Sequence, residues 1–461
     1  MKILNADKRL PALPRSIIGH PLVSIVVAGV IIYLALLLGQ SADQFLQFSI
    51  NGIVIGAIYA IVAMGFNIVY GTVWFFDLSY GAMATMGAYS VFYFTGRQIQ
   101  TVGRGEINNL YLDIFMGILI AGVVAWVLYV WIYPELRSRI NRITLLAVGA
   151  LVALATGAYT GLILAHPADL NVFLSPTIGL LVATASGCVL YLGALSGIGS
   201  GRGLILFLVL GLPGALALGG YSGWLVADTL STRLYLSWFM GAILAGASGL
   251  AIYRGVYFYL RRQARSPLVM LVGSLGFLLS ITAFIAIIFS PDGRPLAQPF
   301  GTVPWSLAGA FIKPFQVLII GIAFAIFGGL YLLLNKTSFG TAVRAIGDDE
   351  EVARIVGINT PVVIAVIFFL GATIAGLGGI LLGEDIGIRP QMGLLLLLKG
   401  WIASVVGGIG NIYGALLGGF VLGMVENYGV WYIPAQWKDA VAFVLLIFFL
   451  SFWPRGLLPR R

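Results

Sequence analysis

Cysteine is almost missing from this chain of 461 residues: Cys188 stands alone inside an apolar run. No internal disulfide can form, and such a residue behaves as a small buried hydrophobe. Histidine is equally scarce. His20 and His166 have no Cys or carboxylate cluster around them, which argues against a metal site. Only 9% of residues are charged. There is no Walker A sequence either; the nearest fragment, Asn335-Lys336-Thr337, lacks the glycine before the lysine. With no phosphate cradle and no catalytic His or metal cluster, neither an ATPase nor a membrane enzyme is indicated. The net charge of +9 is spread over short loops without a basic patch, so nucleic acid is excluded as a partner.

What the chain has in abundance is apolar length. Hydrophobic residues make up 60% of it, and the mean hydropathy is +1.02. Apolar segments lie near 17–38, 46–70, 78–95, 111–133, 143–165, 174–197, 203–226, 236–259, 268–290, 315–334, 361–383, 394–407, 412–430 and 439–454. Most are long enough to cross a hydrocarbon core of roughly 30 Å. In lipid they must be helices, because every backbone polar group needs an internal partner. The expected fold is an all-α polytopic membrane protein, a bundle of about 11–14 spanning or half-spanning helices. The 61 glycines suit close helix approach where lipid supplies no hydrophobic drive. Two breaks stand out. Gly408-Ile409-Gly410-Asn411 divides one apolar stretch, and a polar interruption at Gly71 to Asp77 precedes segment 78–95. Both are the mark of discontinuous helices.

The basic residues set an orientation. With the N-terminus inside, the loops carrying Arg137, Arg139 and Arg142, then Arg202, then Arg261, Arg262 and Arg265, then Lys336 and Arg344 all fall on the cytoplasmic side, as does the C-terminal tail. Loop 96–110, with Arg97 and Arg104, is the exception. The run 17–38 after Lys2, Lys8, Arg9 and Arg15 is too long for a signal peptide with further spans behind it, and reads as a retained helix. An internal echo pairs YLDIFMGILIAG at Tyr111 with YLSWFMGAILAG at Tyr235. It continues in register through Tyr129 and Tyr253, Tyr133 and Tyr257, and Arg137 and Arg261. Duplication of one helix and chance likeness in a biased composition both account for it; the sustained register favours duplication.

One dense polar element interrupts the apolar pattern: GDDEEVARIVG, Gly347 to Gly357, with four acids in a row. Asp348 fits an N-cap with Glu351 at N3. Glu350 and Arg354 stand at i,i+4. Val352, Ile355 and Val356 share a face, and Gly357 fits the C′ stop. Thr360-Pro361 then fits the N-cap and N1 of the next membrane helix. The expectation is a short amphipathic helix of about eight residues rather than a solvated loop.

The segment FGTAVRAIGDDEEVARIVGINTPVVIAVIFFLGATIAGLGGILLG resembles the cytoplasmic loop and following helix of branched-chain amino-acid ABC importer permeases. NGIVIGAIYAIVAMGFNIVYG, GAMATMGAY, SPLVMLVGSLGFLLS, KGWIASVVGGIGNIYGALLGG and WKDAVAFVLLIFFLSFWPRGLL are similar to the family's other segments, in its order. The resemblance covers roughly 45–95 and 235–461. It implies a tail and extra helix at 1–45, a first part of the permease core at 46–110, added helices at 111–235, and the rest of the core at 236–461 with a coupling loop at 335–361. It implies a pore-forming subunit in a bacterial inner membrane, both termini cytoplasmic. The implied partners are a second permease, two cytoplasmic ATP-binding subunits that hold ATP and Mg, an external solute-binding protein and the bilayer; no cofactor belongs to this chain. The coupling residues would be Arg344, Asp348, Asp349, Glu350, Glu351, Ala353, Arg354 and Gly357. Of these, Glu351, Ala353 and Gly357 fit the looser E-x-A-x-x-x-G pattern of importer permeases.

Polar residues at membrane depth are costly and mark candidate path positions. They are Asn51, Asp77, Ser79, Tyr80, Lys399, Gly408, Asn411 and Glu426. Asp77, Tyr80 and Ala82 stand where the family more often has Asn, His and Glu, which leaves the substrate open between branched-chain or related amino acids and urea, short amides or another small polar solute. Lys399 has three readings: a partner for Asp77 or Glu426, a lure for a substrate carboxylate, or a side chain reaching an interface. The ends of broken helices suit a zwitterion, while their glycines equally serve packing. Trp401, Trp431 and Trp437 read as packing or interfacial residues. A secondary transporter would need a relay of intramembrane acids, of which there are few.

Overall fold

The computed structural model describes residues 21–95, 118, 142–165, 230–263, 266–296, 304–307, 309–454 and 456–458. The expected segments near 111–133, 174–197 and 203–226 and the loops 96–110 and 166–173 lie essentially outside these, as do Cys188, His20, His166 and the first copy of the internal echo. The chain divides into two units: Met1–Tyr89 with Gly241–Arg461, and Ser90–Met240. Of the second unit, the described part is mainly one helix, α4 (Arg142–Ala165).

The first unit is built around α2 (Ala42–Val73), which follows α1 (Pro21–Gln40). Among the candidate spans, α2 is the most enclosed, with 89% of its apolar window buried. Helix α3 (Ser79–Phe94) follows a five-residue break. Next come α5 (Leu230–Ile252), a π-helical turn at Tyr253–Tyr257, α6 (Phe258–Gln263) and α7 (Pro267–Phe289). A small antiparallel hairpin, β1 (Trp305–Leu307) and β2 (Ala310–Ile312), precedes α8 (Pro314–Lys336). Two short helices, α9 (Ser338–Asp348) and α10 (Glu350–Ile355), lead into α11 (Thr360–Ile386). The chain closes with α12 (Met392–Gly407), α13 (Ile412–Gly429) and α14 (Lys438–Phe452). Among the described residues, six helices are long and apolar enough to cross a membrane, and α12 with α13 forms a pair bent by 116°.

Helix α2 packs on α13, α11, α12 and α8. The α2–α13 crossing rests on two facing Gly-x-x-x-Gly pairs, Gly52 with Gly56 and Gly419 with Gly423. A Cβ on Gly56 would sit 2.9 Å from the Gly419 carbonyl oxygen and the Phe420 Cα, closer than real contacts allow. Backbones meet here because no side chain intervenes. By contrast α7, α8 and α14 have only 17% of their apolar windows buried. Leu268, Val272, Leu279 and Ile287 of α7 are 60–80% exposed, as expected of helices whose outer faces meet lipid tails. This is an all-α polytopic membrane protein.

Candidate functional site

The helix ends sort the unit into two faces. Helices α8 and α11 are joined through α9 and α10, so residues 337–359 mark one face. The start of α8 and the end of α11 mark the other.

On the first face, the polar stretch is two helices rather than one. Thr337 caps α9, its Oγ1 accepting from the Gly340 amide at 3.2 Å. Phe339, Val343 and Ile346 recur at helical spacing, and the last two are buried. That spacing stands in the sequence directly before the four acids. Asp348 is the last residue of α9 and not the cap of α10. The cap falls one residue later, on extended Asp349, whose Oδ1 accepts from the Glu351 and Val352 amides at 2.8 and 3.1 Å. The shift follows from α9, which already occupies Asp348, so only Asp349 can turn the chain. Helix α10 is six residues long, not about eight. It ends in a Schellman closure: Ile358 N–H bonds the Ala353 carbonyl at 3.0 Å and Gly357 N–H the Arg354 carbonyl at 3.1 Å, with Gly357 at φ +97°. Asn359 replaces Thr360 as the N-cap of α11, because the Thr360 hydroxyl donates instead to Glu350 at 3.3 Å.

Glu350 holds this element down. It accepts from Arg354 at 3.2 Å and from Arg261, at the end of α6, at 2.7 Å. Arg344 donates to Asn335 at 3.2 Å. Ala353 is the buried residue of α10, 3% exposed, whereas Val352, Ile355 and Val356 are 54%, 84% and 75% exposed. The side chain of Glu351 lies beside them, exposed. A rigid, capped helix therefore presents an apolar face to its surroundings.

A second link runs from this face to the α2–α3 break. Trp74 ends α2 in the left-handed region, φ 53°, a conformation that costs a non-glycine residue about 1–2 kcal/mol. It places the indole N–H 2.8 Å from the Gly347 carbonyl of α9. The same helix is locked lower down by Asn67, 2% exposed. Its Nδ2 donates to the Asn411 carbonyl at 3.0 Å, and its Oδ1 accepts from the Gly410 amide at 2.9 Å and the Ser404 hydroxyl at 2.7 Å. Trp74, Asn67 and Arg261's role were not singled out from sequence. Only the fold tells that the lone Asn in FNIVYG faces a helix break whose Gly410 lies 343 positions on.

The break between α12 and α13 is filled rather than open. Gly408 ends α12 at φ +118°, and Asn411 caps α13, accepting from the Tyr413 amide at 3.0 Å. The carbonyls of Val406 and Gly407 accept from the Leu457 and Leu458 amides at 2.9 and 2.8 Å. Asp77 and Ser79 are likewise turned inward. Asp77 Oδ1 accepts from the Ser79 amide, the Ser79 hydroxyl and the Tyr257 hydroxyl at 2.9, 2.7 and 2.8 Å. Tyr257 closes the π-helical turn. Tyr80 donates to the Val62 carbonyl at 3.1 Å. Among the alternatives for Lys399, the pairing is with Glu426, at 2.7 Å, and with Asp439, at 2.8 Å; Asp77 is not its partner. Glu426 is fully buried and also accepts from Tyr59 at 2.9 Å. These candidates hold broken helices together. Trp401 packs on Phe76 and Trp431 on Phe48, at 5.4 and 4.7 Å between rings, while Trp437 is 59% exposed.

On the second face, Asn51, Val54, Ile55, Gln316, Asp385 and Asn427 line a cleft of about 210 Å³ where α2, α8, α11 and α13 converge. Of the candidate path residues, Asn51 is the one that lines it.

Comparison with known proteins agrees with this architecture. The profile of the family described as "branched-chain amino acid transport system / permease component" matches residues 48–154 and 203–450. The profile thus takes in 111–154 and 203–235, which were expected to be added helices, and leaves out 155–202. The chain is 36% identical over 242 residues to the high-affinity branched-chain amino acid transport system permease protein BraD of Pseudomonas aeruginosa, covering 50% of this chain and 77% of that protein. It is 33% identical over 247 residues to the LivH permease protein of Escherichia coli, 52% of this chain and 76% of that one. It is also 37% identical over 129 residues to the autoinducer 2 import system permease protein LsrC of Yersinia enterocolitica, 26% of this chain and 36% of that protein. No solved structure matches the chain. The profile spans most of the chain and includes both faces just described, so the chain belongs to the family of branched-chain amino acid transport system permease components.

Proposed function

We propose that this permease carries branched-chain or related small amino acids inward by alternating access, driven by ATP hydrolysis in separate cytoplasmic subunits. The observation that carries the reading is α10. A six-residue helix fixed at both ends, with Val352, Ile355 and Val356 exposed beside Glu351, is what a groove on a soluble ATPase could grip. Work delivered there passes two ways. The Glu350–Arg261 ion pair leads into the π-turned helix, and the Gly347–Trp74 hydrogen bond leads into α2. Helix α2 then bears on the α12–α13 break through Asn67.

In this reading the 337–359 face is cytoplasmic, both termini lie on that side, and the cleft at Asn51 faces outward toward a solute-binding protein. A second permease subunit completes the membrane pair. Arg344, Asp348, Asp349, Glu350, Glu351, Ala353, Arg354 and Gly357 form the coupling element, with Asp349, Glu350, Ala353 and Gly357 shaping it and Glu351 meeting the partner. Small polar solutes other than amino acids are the second reading, favoured by the local likeness to an autoinducer 2 permease.

The test is site-specific photocrosslinking in membranes that contain the whole importer. A photoreactive residue at position 355 should capture the ATP-binding subunit. One at position 279, on the lipid-facing side of α7, should not. Equal capture at both, or none at 355, would overturn the coupling assignment.

A further inference from the structure

The outward cleft carries a recognition pattern that can be read atom by atom. Three of its polar lining residues are amides, and each is oriented by a partner of fixed sense. Gln47 exchanges two hydrogen bonds with the Phe311 backbone, Oε1 accepting at 2.7 Å and Nε2 donating at 3.1 Å. Its Nε2 also donates to Asn51 Oδ1 at 3.2 Å, which leaves Asn51 Nδ2 as the open group. Gln316 Oε1 accepts from the Lys313 amide at 3.1 Å, leaving Nε2. Asn427 Nδ2 donates to the Gly423 carbonyl at 2.8 Å, leaving Oδ1. Amide orientation is often ambiguous, but backbone groups cannot reverse their roles, so here it is settled.

The fourth polar residue is Asp385, at the end of α11, and among the described residues it forms no ion pair. The cleft thus offers two acceptors, Asp385 and Asn427 Oδ1, and two amide donors, Asn51 Nδ2 and Gln316 Nε2. Ile55 supplies an apolar surface, with Val54, 1% exposed, packed beside it. At about 210 Å³ the space is below the roughly 300–1,000 Å³ of drug-sized sites, and suits a small solute.

We infer that this cleft is a binding site for a small zwitterionic amino acid with an aliphatic side chain. The α-ammonium lies against Asp385 and Asn427 Oδ1, the α-carboxylate receives the Asn51 and Gln316 amides, and the side chain rests on Ile55. Charge-assisted hydrogen bonds at each end give it orientation as well as affinity. A ligand without the ammonium leaves Asp385 unsatisfied, and one without the carboxylate leaves two donors unmet. The inference rests on the amino-acid reading above and deepens it: the membrane subunit itself, and not only an external binding protein, discriminates the zwitterion.

The experiment measures equilibrium binding of radiolabelled leucine to the purified permease–ATPase complex, without its binding protein. The wild type is compared with Asp385→Asn and Asn51→Asp, and 4-methylpentanoate, which lacks the ammonium, serves as competitor. Each variant should weaken leucine binding by roughly tenfold or more, the scale of one hydrogen bond to a charged group. The competitor should displace leucine poorly from the wild type. The two variants alter opposite ends of the site, so one that fails to assemble leaves the other to decide. Leucine binding unchanged in the assembled variants, or 4-methylpentanoate competing as well as leucine, would overturn the inference. Uptake by the complete importer in proteoliposomes separates the two levels. Uptake that is present but unaffected by both variants removes the cleft assignment alone. Absence of uptake of any zwitterionic amino acid by the wild type removes the reading on which it rests.

Discussion

Gly357 offers the sharpest perturbation of α10, the proposed coupling helix. It closes α10 at φ +97°, and a Cβ built there meets nothing within 4 Å. A substitution is therefore penalised by backbone conformation alone, not by a clash. For alanine, the left-handed region costs about 1–2 kcal/mol, which moves the ratio of capped to uncapped α10 by a factor of about 5–30. Asparagine reaches this region more readily and should lose less. Proline cannot adopt it, since its ring fixes φ near −65°, and it also removes the N–H that bonds the Arg354 carbonyl at 3.1 Å. Uptake driven by ATP in membrane vesicles, normalised to permease in the membrane, should fall in the order Gly, Asn, Ala, Pro. Membrane abundance should hold, because Gly357 is exposed and lies outside the helix bundle. Wild-type uptake by Gly357→Pro, or Asn falling below Ala, would refute the claim that a capped α10 carries the coupling.

Trp74→Phe keeps the ring but loses the hydrogen bond to Gly347, worth about 0.5–1.5 kcal/mol; uptake per ATP hydrolysed should drop while ATP hydrolysis persists, measured together in proteoliposomes. Lys399→Met takes from buried Glu426 its 2.7 Å partner and leaves it Lys438, at 4.0 Å; thermal stability in detergent should fall by less than the about 3–5 kcal/mol of a wholly unpaired buried charge, with Glu426→Gln in the same chain restoring part of it. Asn67→Leu strands the Gly410 amide, a buried loss costing about 1–3 kcal/mol, while the Asn411 carbonyl keeps its bond from the Ala415 amide at 3.0 Å; the melting temperature should fall, and limited proteolysis should open first between α12 and α13.

The membrane helices were legible in the sequence because length and composition are local properties: in the described parts, 46–70 and 361–383 correspond to Ala42–Val73 and Thr360–Ile386. The break after Gly407 was legible for the same reason, since glycine and asparagine punctuate an apolar run. The coupling element was half legible. Its stop at Gly357 needs only a neighbouring residue, but its start depended on α9, which runs through Asp348. What could not be read was what the polar residues at depth bond to. Asp77 and Lys399 both looked like path residues, and separation in sequence cannot say that one meets Tyr257 and the other Glu426. In the sequence, Tyr257 belongs to an internal echo in register, and Arg261 to the same echo and to a basic loop. The fold makes that stripe a line of contacts, with Tyr257 on the α2–α3 break and Arg261 on α10.

Whether this chain is the membrane path of an ATP-driven amino-acid importer can be measured outright. The most direct measurement is accumulation of radiolabelled leucine in proteoliposomes holding the permease pair and its ATP-binding subunits, with the binding protein outside and ATP inside. The account predicts accumulation against the gradient that stops when ATP is withheld or replaced by a non-hydrolysable analogue. Leucine entry that proceeds equally without ATP, or without the ATP-binding subunits, would contradict it.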